Sequence, residues 1–264
     1  MKIASWNVNS LRARFERVKE FLELNDDIDV LLLQETKCQD KNFPEFDIRI
    51  LGYDVAHYGL SQYNGVCIIS KEDLIDVKIG LNTTEDPYIN DGRIISATVN
   101  GITIVSVYCP NGRDIDSEHY EMKLKWFDLL KVELQKLLIE NEKVIVMGDF
   151  NIVPTDADVY DISKITMTTH VTKKEREKLS AILELGFIDS YRCLYPKGEG
   201  FTYWDYRNGD FNNNRGLRID LGLISNTLVN RLKDVSVSRE SRIGDSPSDH
   251  ACIILECDSS YTKT

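Results

Sequence analysis

Residues 144–151 read VIVMGDFN, a short apolar run closed by a glycine, an acid, an aromatic and an amide. A run this short, rich in β-branched residues and ended by glycine, predicts a buried strand rather than a helix. The same plan recurs elsewhere. Ile3 to Trp6 leads into Asn7, Val30 to Gln34 into Glu35, and Ile102 to Val107 into Tyr108. Apolar runs at Val66 to Ile69, Ile94 to Val99, Leu221 to Ile224 and Ala251 to Leu255 are further expected strands. Asp220 and the pair Asp249-His250 precede their runs, and an antiparallel partner in the same sheet would carry them to the same edge. The polar residues at 7, 35, 108, 149, 220, 249 and 250 are therefore expected along one rim.

Three helices are legible between the strands. Ser10 is a fitting N-cap for a helix whose Leu11, Phe15, Val18 and Leu22 share a face. From about Ser117 to Glu140, Tyr120, Leu124, Phe127, Leu130, Leu134, Leu137 and Leu138 form a second apolar stripe. Thr172 with Glu175 three residues on is a capping-box signature for a third. Strands that outnumber helices and follow one another without helices between them do not fit a regularly alternating parallel sheet. The expected class is α/β in the broad sense (α+β), with two packed mixed sheets and helices outside. No repeat or Pro/Gly-rich linker divides the chain, so 1–264 is read as one domain. Gly198 to Arg218, rich in Asn, Gly and aromatics, reads as a long functional surface loop.

The chain has 264 residues, 42% of them hydrophobic, as an ordinary globular protein does. No apolar run is long enough for a membrane helix and the start carries no signal-peptide pattern, so a cytosolic protein without membrane contact is expected. Its six cysteines form no CxxC pair and are read as free thiols. The net charge of −11 weighs against a polyanionic partner. Binding follows the local field rather than the sum, so a basic rim beside a metal-loaded acidic site is compatible with that charge.

Glu35, Asp149, Asp220 and Asp249 brought together would repel and raise one another's pKa values unless a cation lay among them. Oxygen-rich donors with a single candidate His favour Mg²⁺, with Mn²⁺ as a substitute, over zinc. Each residue also has a plainer reading. Asn7 caps a helix, Tyr108 packs in a core, Asp149 to Asn151 forms a turn before Pro154, and Ser248-Asp249-His250 is a loop. Their joint placement at strand ends favours a divalent-metal phosphodiesterase.

Seven segments together resemble the exonuclease III class of AP endonucleases, within the DNase I-like endonuclease/exonuclease/phosphatase superfamily that also holds inositol polyphosphate phosphatases. They are KIASWNVNSLRAR (2–14), LLLQETKCQD (31–40), VSVYCPNG (105–112), VMGDFNIVPTDAD (146–158), FTYWDYR (201–207), NRGLRIDLGLIS (214–225) and PSDHACI (247–253). The resemblance spans nearly the whole chain and agrees in order and spacing. It implies a four-layer sandwich and a monomeric DNA-repair enzyme of the cytoplasm, associated with the nucleoid during repair. Its substrate would be duplex DNA with abasic sites, cut on the 5′ side, or with 3′ ends to be trimmed.

It also implies roles. Glu35, with Asn7 and Asp249 nearby, would hold the metal, and the implied metal set extends to Asp149, Asn151 and His250. Asp149 would orient or deprotonate the attacking water, while Asn151 and His250 would stabilise the pentacovalent phosphate. Asp220 would orient His250, and Tyr108 would serve the leaving oxygen. Tyr203, Leu217 and Ile219 match the positions that contact a flipped-out, baseless deoxyribose, although Tyr203-Trp204 stands where Trp then Phe is common. Asn111, Arg93, Lys123 and Arg218, with Arg207 and Arg215, are expected phosphate contacts. A phosphatase of inositol or lipid phosphates would share the metal residues, but the aromatic loop before GLRID speaks for the DNA-repair branch.

Overall fold

The computed structural model describes residues 1–165 and 168–258. Two six-stranded sheets stack face to face. The first is built from β1 (Lys2–Asn7), β2 (Val30–Gln34), β3 (Asp54–Tyr58), β4 (Val66–Ser70), β11 (Leu232–Ser238) and β12 (Cys252–Cys257), in the order β11-β12-β1-β2-β4-β3. The second holds β5 (Ile75–Ile79), β6 (Ile94–Val99), β7 (Ile102–Tyr108), β8 (Val144–Asp149), β9 (Phe187–Asp189) and β10 (Asp220–Ser225), in the order β5-β6-β7-β8-β10-β9. Each sheet is antiparallel except for one central parallel pair, β1 with β2 and β7 with β8.

The near-continuous apolar runs follow from burial on both faces. In β8, Ile145 and Met147 join the core between the sheets, while Val144 and Val146 pack outward against helix α3 (Glu118–Glu140) through Trp126, Phe127 and Leu130. In β1 and β2, Ile3, Val30 and Leu32 face the inner core. Ala4, Trp6, Leu31 and Leu33 face helix α1 (Leu11–Leu24) through Leu11, Val18, Phe21 and Leu22. Burying each such Leu, Ile or Phe contributes about 1.5–3 kcal/mol before conformational entropy is counted. The result is the expected helix–sheet–sheet–helix sandwich.

The three foreseen helices form where their caps lie. Ser10 Oγ accepts from the Ala13 N–H, Ser117 Oγ from Tyr120, and Thr172 makes a reciprocal capping box with Glu175 at the start of α4 (Lys173–Leu183). Short helices α2 (Glu45–Ile50) and α5 (Ser190–Leu194) are additional. All eight expected strand runs fall in strands, the last one shifted to Cys252–Cys257. The four strands that were not foreseen, β3, β5, β9 and β11, are the edges of the two sheets. All six cysteines are free. Among the described residues no helix is long and apolar enough to cross a membrane.

Both parallel pairs end at the same place. Tyr108 sits opposite Asp149 in register, and Asp220, at the start of antiparallel β10, sits opposite Asp149 from the other side. Gly148 lets that happen. Its φ of 149° is poorly open to other residues, and a Cβ there would lie 2.0 Å from the Val107 carbonyl oxygen on the neighbouring strand. Any side chain at 148 would push β7 from β8 and part Tyr108 from Asp149.

Candidate active site

The strand ends deliver a connected cluster. Asn7 Nδ2 donates to Glu35 Oε1 at 2.9 Å and to Asp149 Oδ2 at 3.0 Å, so one amide joins the ends of both sheets. Asn151 closes the other side, donating its backbone N–H to Asp149 Oδ1 at 2.9 Å and its amide to Asp149 Oδ2 at 3.1 Å. His250 Nδ1 meets Asp220 Oδ2 at 2.8 Å, which leaves Nε2 facing Asp149 Oδ2 at 3.9 Å. Tyr108 lies close enough to Glu35 to feel its charge, under the Arg93 guanidinium 4.6 Å from its ring centroid. Glu35 at φ 51° and Asn151 at φ 51° both hold left-handed backbone, which ordinary residues populate rarely and which marks these turns as fixed by their surroundings.

Glu35, Asp149 and His250 each offer a ligand atom within 4.8 Å of the others. Electrostatics show what that proximity does. Burial lifts the Asp149 carboxyl to about 7, with Asp220 and Glu35 adding to the rise against the pull of His250. Burial works to lower His250, but Asp220 and Asp149 outweigh it and hold the imidazole up at about 10. Burial likewise pushes the Tyr108 phenol well above its ordinary range, with Glu35 contributing, so the hydroxyl keeps its proton. Glu35 stays ionised because Lys37 and Asn7 outweigh the effect of burial. Oxygen donors that suppress one another's ionisation fit a hard divalent cation, which would relieve the repulsion around Asp149. The mixed carboxylate, amide and imidazole set suits Mg²⁺ or Mn²⁺.

Of the expected site residues, Asn7, Glu35, Tyr108, Asp149, Asn151, Asp220 and His250 come together directly. Asp249 lies one step out, its Oδ1 accepting from Asn9 Nδ2 at 3.0 Å. Asn111 Nδ2 donates to Asn151 Oδ1 at 3.2 Å, and Arg93 Nη1 donates to the Tyr108 carbonyl at 3.1 Å. A cleft of about 520 Å³ opens beside Glu35, walled by Arg93, Tyr108, Asn111, Arg113, Tyr63 and Tyr88 among others. Tyr203 pairs with both Leu217 and His250, its ring centroid 5.0 Å from the imidazole. Leu217 and Ile219 lie in the apolar cluster that supports it and are 8% and 2% exposed. Trp204 is fully buried against Phe201 and Phe211.

Two expected phosphate contacts are corrected. Lys123 and Arg218 are both 0% exposed. Lys123 Nζ is spent on Glu175 at 2.5 Å and on three further acceptors, and Arg218 is held by Asp158 Oδ1 at 2.5 Å and Asp189 Oδ2 at 2.7 Å. Neither side chain has a face to offer a phosphate. Of the other basic candidates, Arg215 is tied to Asp210 at 2.8 Å, and the Arg207 guanidinium lies 3.8 Å from Asp205.

Two site residues escaped the sequence reading. Lys37 Nζ lies 2.9 Å from Glu35 Oε2 and donates to Asn9 Oδ1 at 2.6 Å, and Asn9 in turn reaches Asp249. Both follow functional side chains by two residues in left-handed turns, at φ 45° for Asn9 and 49° for Lys37. An Asn two residues past a strand end is a usable signal of such a turn, whereas a Lys is not.

The Endonuclease/Exonuclease/phosphatase family pattern matches residues 4–250. Exodeoxyribonuclease III of Haemophilus influenzae is 33% identical over 268 aligned positions, covering 97% of this chain and 99% of its own length. Among solved structures, a 3′ phosphatase from Neisseria bound to a product DNA hairpin has a TM-score of 0.94 at 39% identity, covering 98% of this chain and 99% of that one. An AP endonuclease from Archaeoglobus fulgidus has a TM-score of 0.92 at 35% identity, with 98% and 99% covered.

Proposed function

The chain belongs to the endonuclease/exonuclease/phosphatase family and is a hydrolytic DNA-repair nuclease; from that premise we propose that it cuts the phosphodiester 5′ to an abasic site in duplex DNA and trims 3′ ends, using Mg²⁺. The observation that carries the reading is the meeting of Glu35, Asp149 and His250 within 4.8 Å, beside Tyr108 and under Tyr203. A monomer made of one domain, working in the cytoplasm and at the nucleoid during repair, is part of the same proposal.

Glu35, with Asn7, Asp149 and the nearby Asn151 and Asp249, would hold the cation, whose contribution is to neutralise charge on the phosphate oxygens and on the acidic cluster. Asp149 takes the proton of the attacking water. Asn7 and both the backbone and amide N–H groups of Asn151 hold that carboxylate in place for the task. The protonated Nε2 of His250 donates to the phosphorane oxygens, joined by Asn151 Nδ2 when it turns one of its two hydrogens from Asp149 to the phosphate, and Asp220 on Nδ1 fixes the ring so that Nε2 faces inward. Tyr108, kept protonated, donates to the leaving 3′ oxygen. Arg93, Asn111 and the exposed Arg207 would position the backbone. Tyr203, backed by Leu217 and Ile219, would meet the baseless sugar, which costs less to extrude than a paired nucleotide.

A substrate panel tests this reading. Purified protein with Mg²⁺ is given four labelled substrates: a duplex with one abasic analogue, a recessed 3′-phosphate end, an undamaged recessed end and a soluble inositol polyphosphate. Cleavage 5′ to the abasic analogue and release of the 3′ block are expected, with slower nibbling of the intact end. Turnover of the inositol phosphate with none of the three DNA substrates would overturn the proposal.

A further inference from the structure

Beneath the catalytic turns lies a buried ionic knot that none of the roles above uses. Lys123, projecting from α3 and 0% exposed, places its ammonium among four oxygens: Glu175 Oε1 at 2.5 Å, the Asn151 carbonyl at 2.6 Å, Thr169 Oγ1 at 3.1 Å and the Asn111 carbonyl at 3.2 Å. Two of these oxygens belong to the turns that follow β7 and β8. The Asn151 carbonyl has a second donor, His170 Nδ1 at 2.6 Å. Glu175 ties the knot down, since Oε1 also accepts from the His170 N–H and Thr169 Oγ1 at 2.8 Å each, while Oε2 completes the cap of α4.

An ion pair taken wholly out of water is poor value for stability, because desolvation offsets most of the attraction and an apolar pair of similar volume often serves as well. What an apolar pair cannot do is bond two main-chain carbonyls at once. Asn151 sits at φ 51°, a conformation without intrinsic preference for most residues though tolerated by Asn. Its side chain must reach Asp149 Oδ2 and the Cys109 carbonyl together, at 3.1 and 2.9 Å. A carbonyl pinned from below by two cationic or ring donors fixes the peptide plane that aims that side chain.

We propose that Lys123, with His170 as second donor and Glu175 as counter-ion, is a positioning group that locks Asn151 in its left-handed turn and thereby sets the orientation of Asp149. The inference rests on the proposed phosphodiesterase reading for its kinetic consequence but not for its structural one. Lys123 touches no substrate; it acts through Asn151.

Three variants test it against a merely structural role. Lys123→Met should lower kcat on the abasic duplex at least about 10-fold, with KM changed less than about threefold. Lys123→Met/Glu175→Gln, in which no charge is left buried and an amide oxygen still serves the α4 cap, should recover thermal stability relative to Lys123→Met without recovering kcat. His170→Phe, at a half-buried position, should fold and still lose kcat by a few-fold with KM unchanged. Recovery of kcat in step with stability in the double variant would overturn the proposal, as would full kcat in His170→Phe. A crystal structure of the double variant decides independently of any activity. The turn at Asn151 should leave the left-handed region or its amide should swing off Asp149, and an unmoved Asn151 would sink the idea. If wild-type protein cut none of the DNA substrates, the phosphodiesterase reading would fail while this structural outcome still decided the positioning claim.

Discussion

Asp149→Asn is expected to slow the chemical step by at least about 10²-fold, the low end for removing a positioned acid or base, while the protein stays folded and binds DNA. The amide has the shape of the carboxylate, and the cavity made by Asn7, Asn151 and His250 stays filled. It cannot take a proton from water. Repulsion from Glu35 and Asp220 disappears with the charge, and so does the attraction to His250, so these two effects oppose each other in the folded state. Single-turnover cleavage of an abasic duplex at saturating protein measures the step directly. A rate within a few-fold of wild type would remove Asp149 from the role assigned to it.

Arg218→Met is expected to cost about 3–5 kcal/mol of stability, the range for breaking a buried pair and stranding its partners. Asp158 is fully buried between the guanidinium groups of Arg218 and Arg192, and Asp189 completes the network from the end of β9. Burial pushes the Asp158 carboxyl up, but hydrogen bonds and charge from Arg218 and Arg192 outweigh it and hold it below its ordinary range. Because that folded-state value is depressed, the stabilisation is present above the ordinary carboxylate value and is lost as pH falls through the folded one. Urea melts at neutral pH should therefore show the deficit, and it should shrink in strong acid. A phosphate contact would behave in the opposite way, with a raised KM and unchanged stability.

That contrast shows what could be read from the chain. The eight apolar runs are the interior strands, legible because burial on both faces leaves a continuous hydrophobic signature. The edge strands carry no such mark: β5, IDVKI, is largely exposed, and β11, LKDVSVS, has one fully buried residue. Asn7, Glu35, Tyr108 and Asp149 were legible because each ends, or directly follows, a central strand, so position along the run foretold position in space. Lys123 and Arg218 were not. Their partners lie 52 positions away in one case and 60 and 29 in the other, and from sequence alone a Lys or Arg near a functional loop reads as exposed. The net charge of −11 pointed away from DNA because it sums over the whole surface, whereas Lys37, Arg93 and Arg113 line the cleft itself.

We take the strand-end cluster to be a metal-dependent phosphodiesterase centre. The direct test is incision of a duplex bearing one abasic analogue, followed across Mg²⁺ concentrations for wild type and Glu35→Ala. Wild type should cut 5′ to the lesion, stop in EDTA and resume when Mg²⁺ is restored, whereas Glu35→Ala should turn over far more slowly and need much more Mg²⁺ to reach its plateau while still binding the duplex. Cleavage that survives EDTA, or a Mg²⁺ dependence identical in the two proteins, would contradict it.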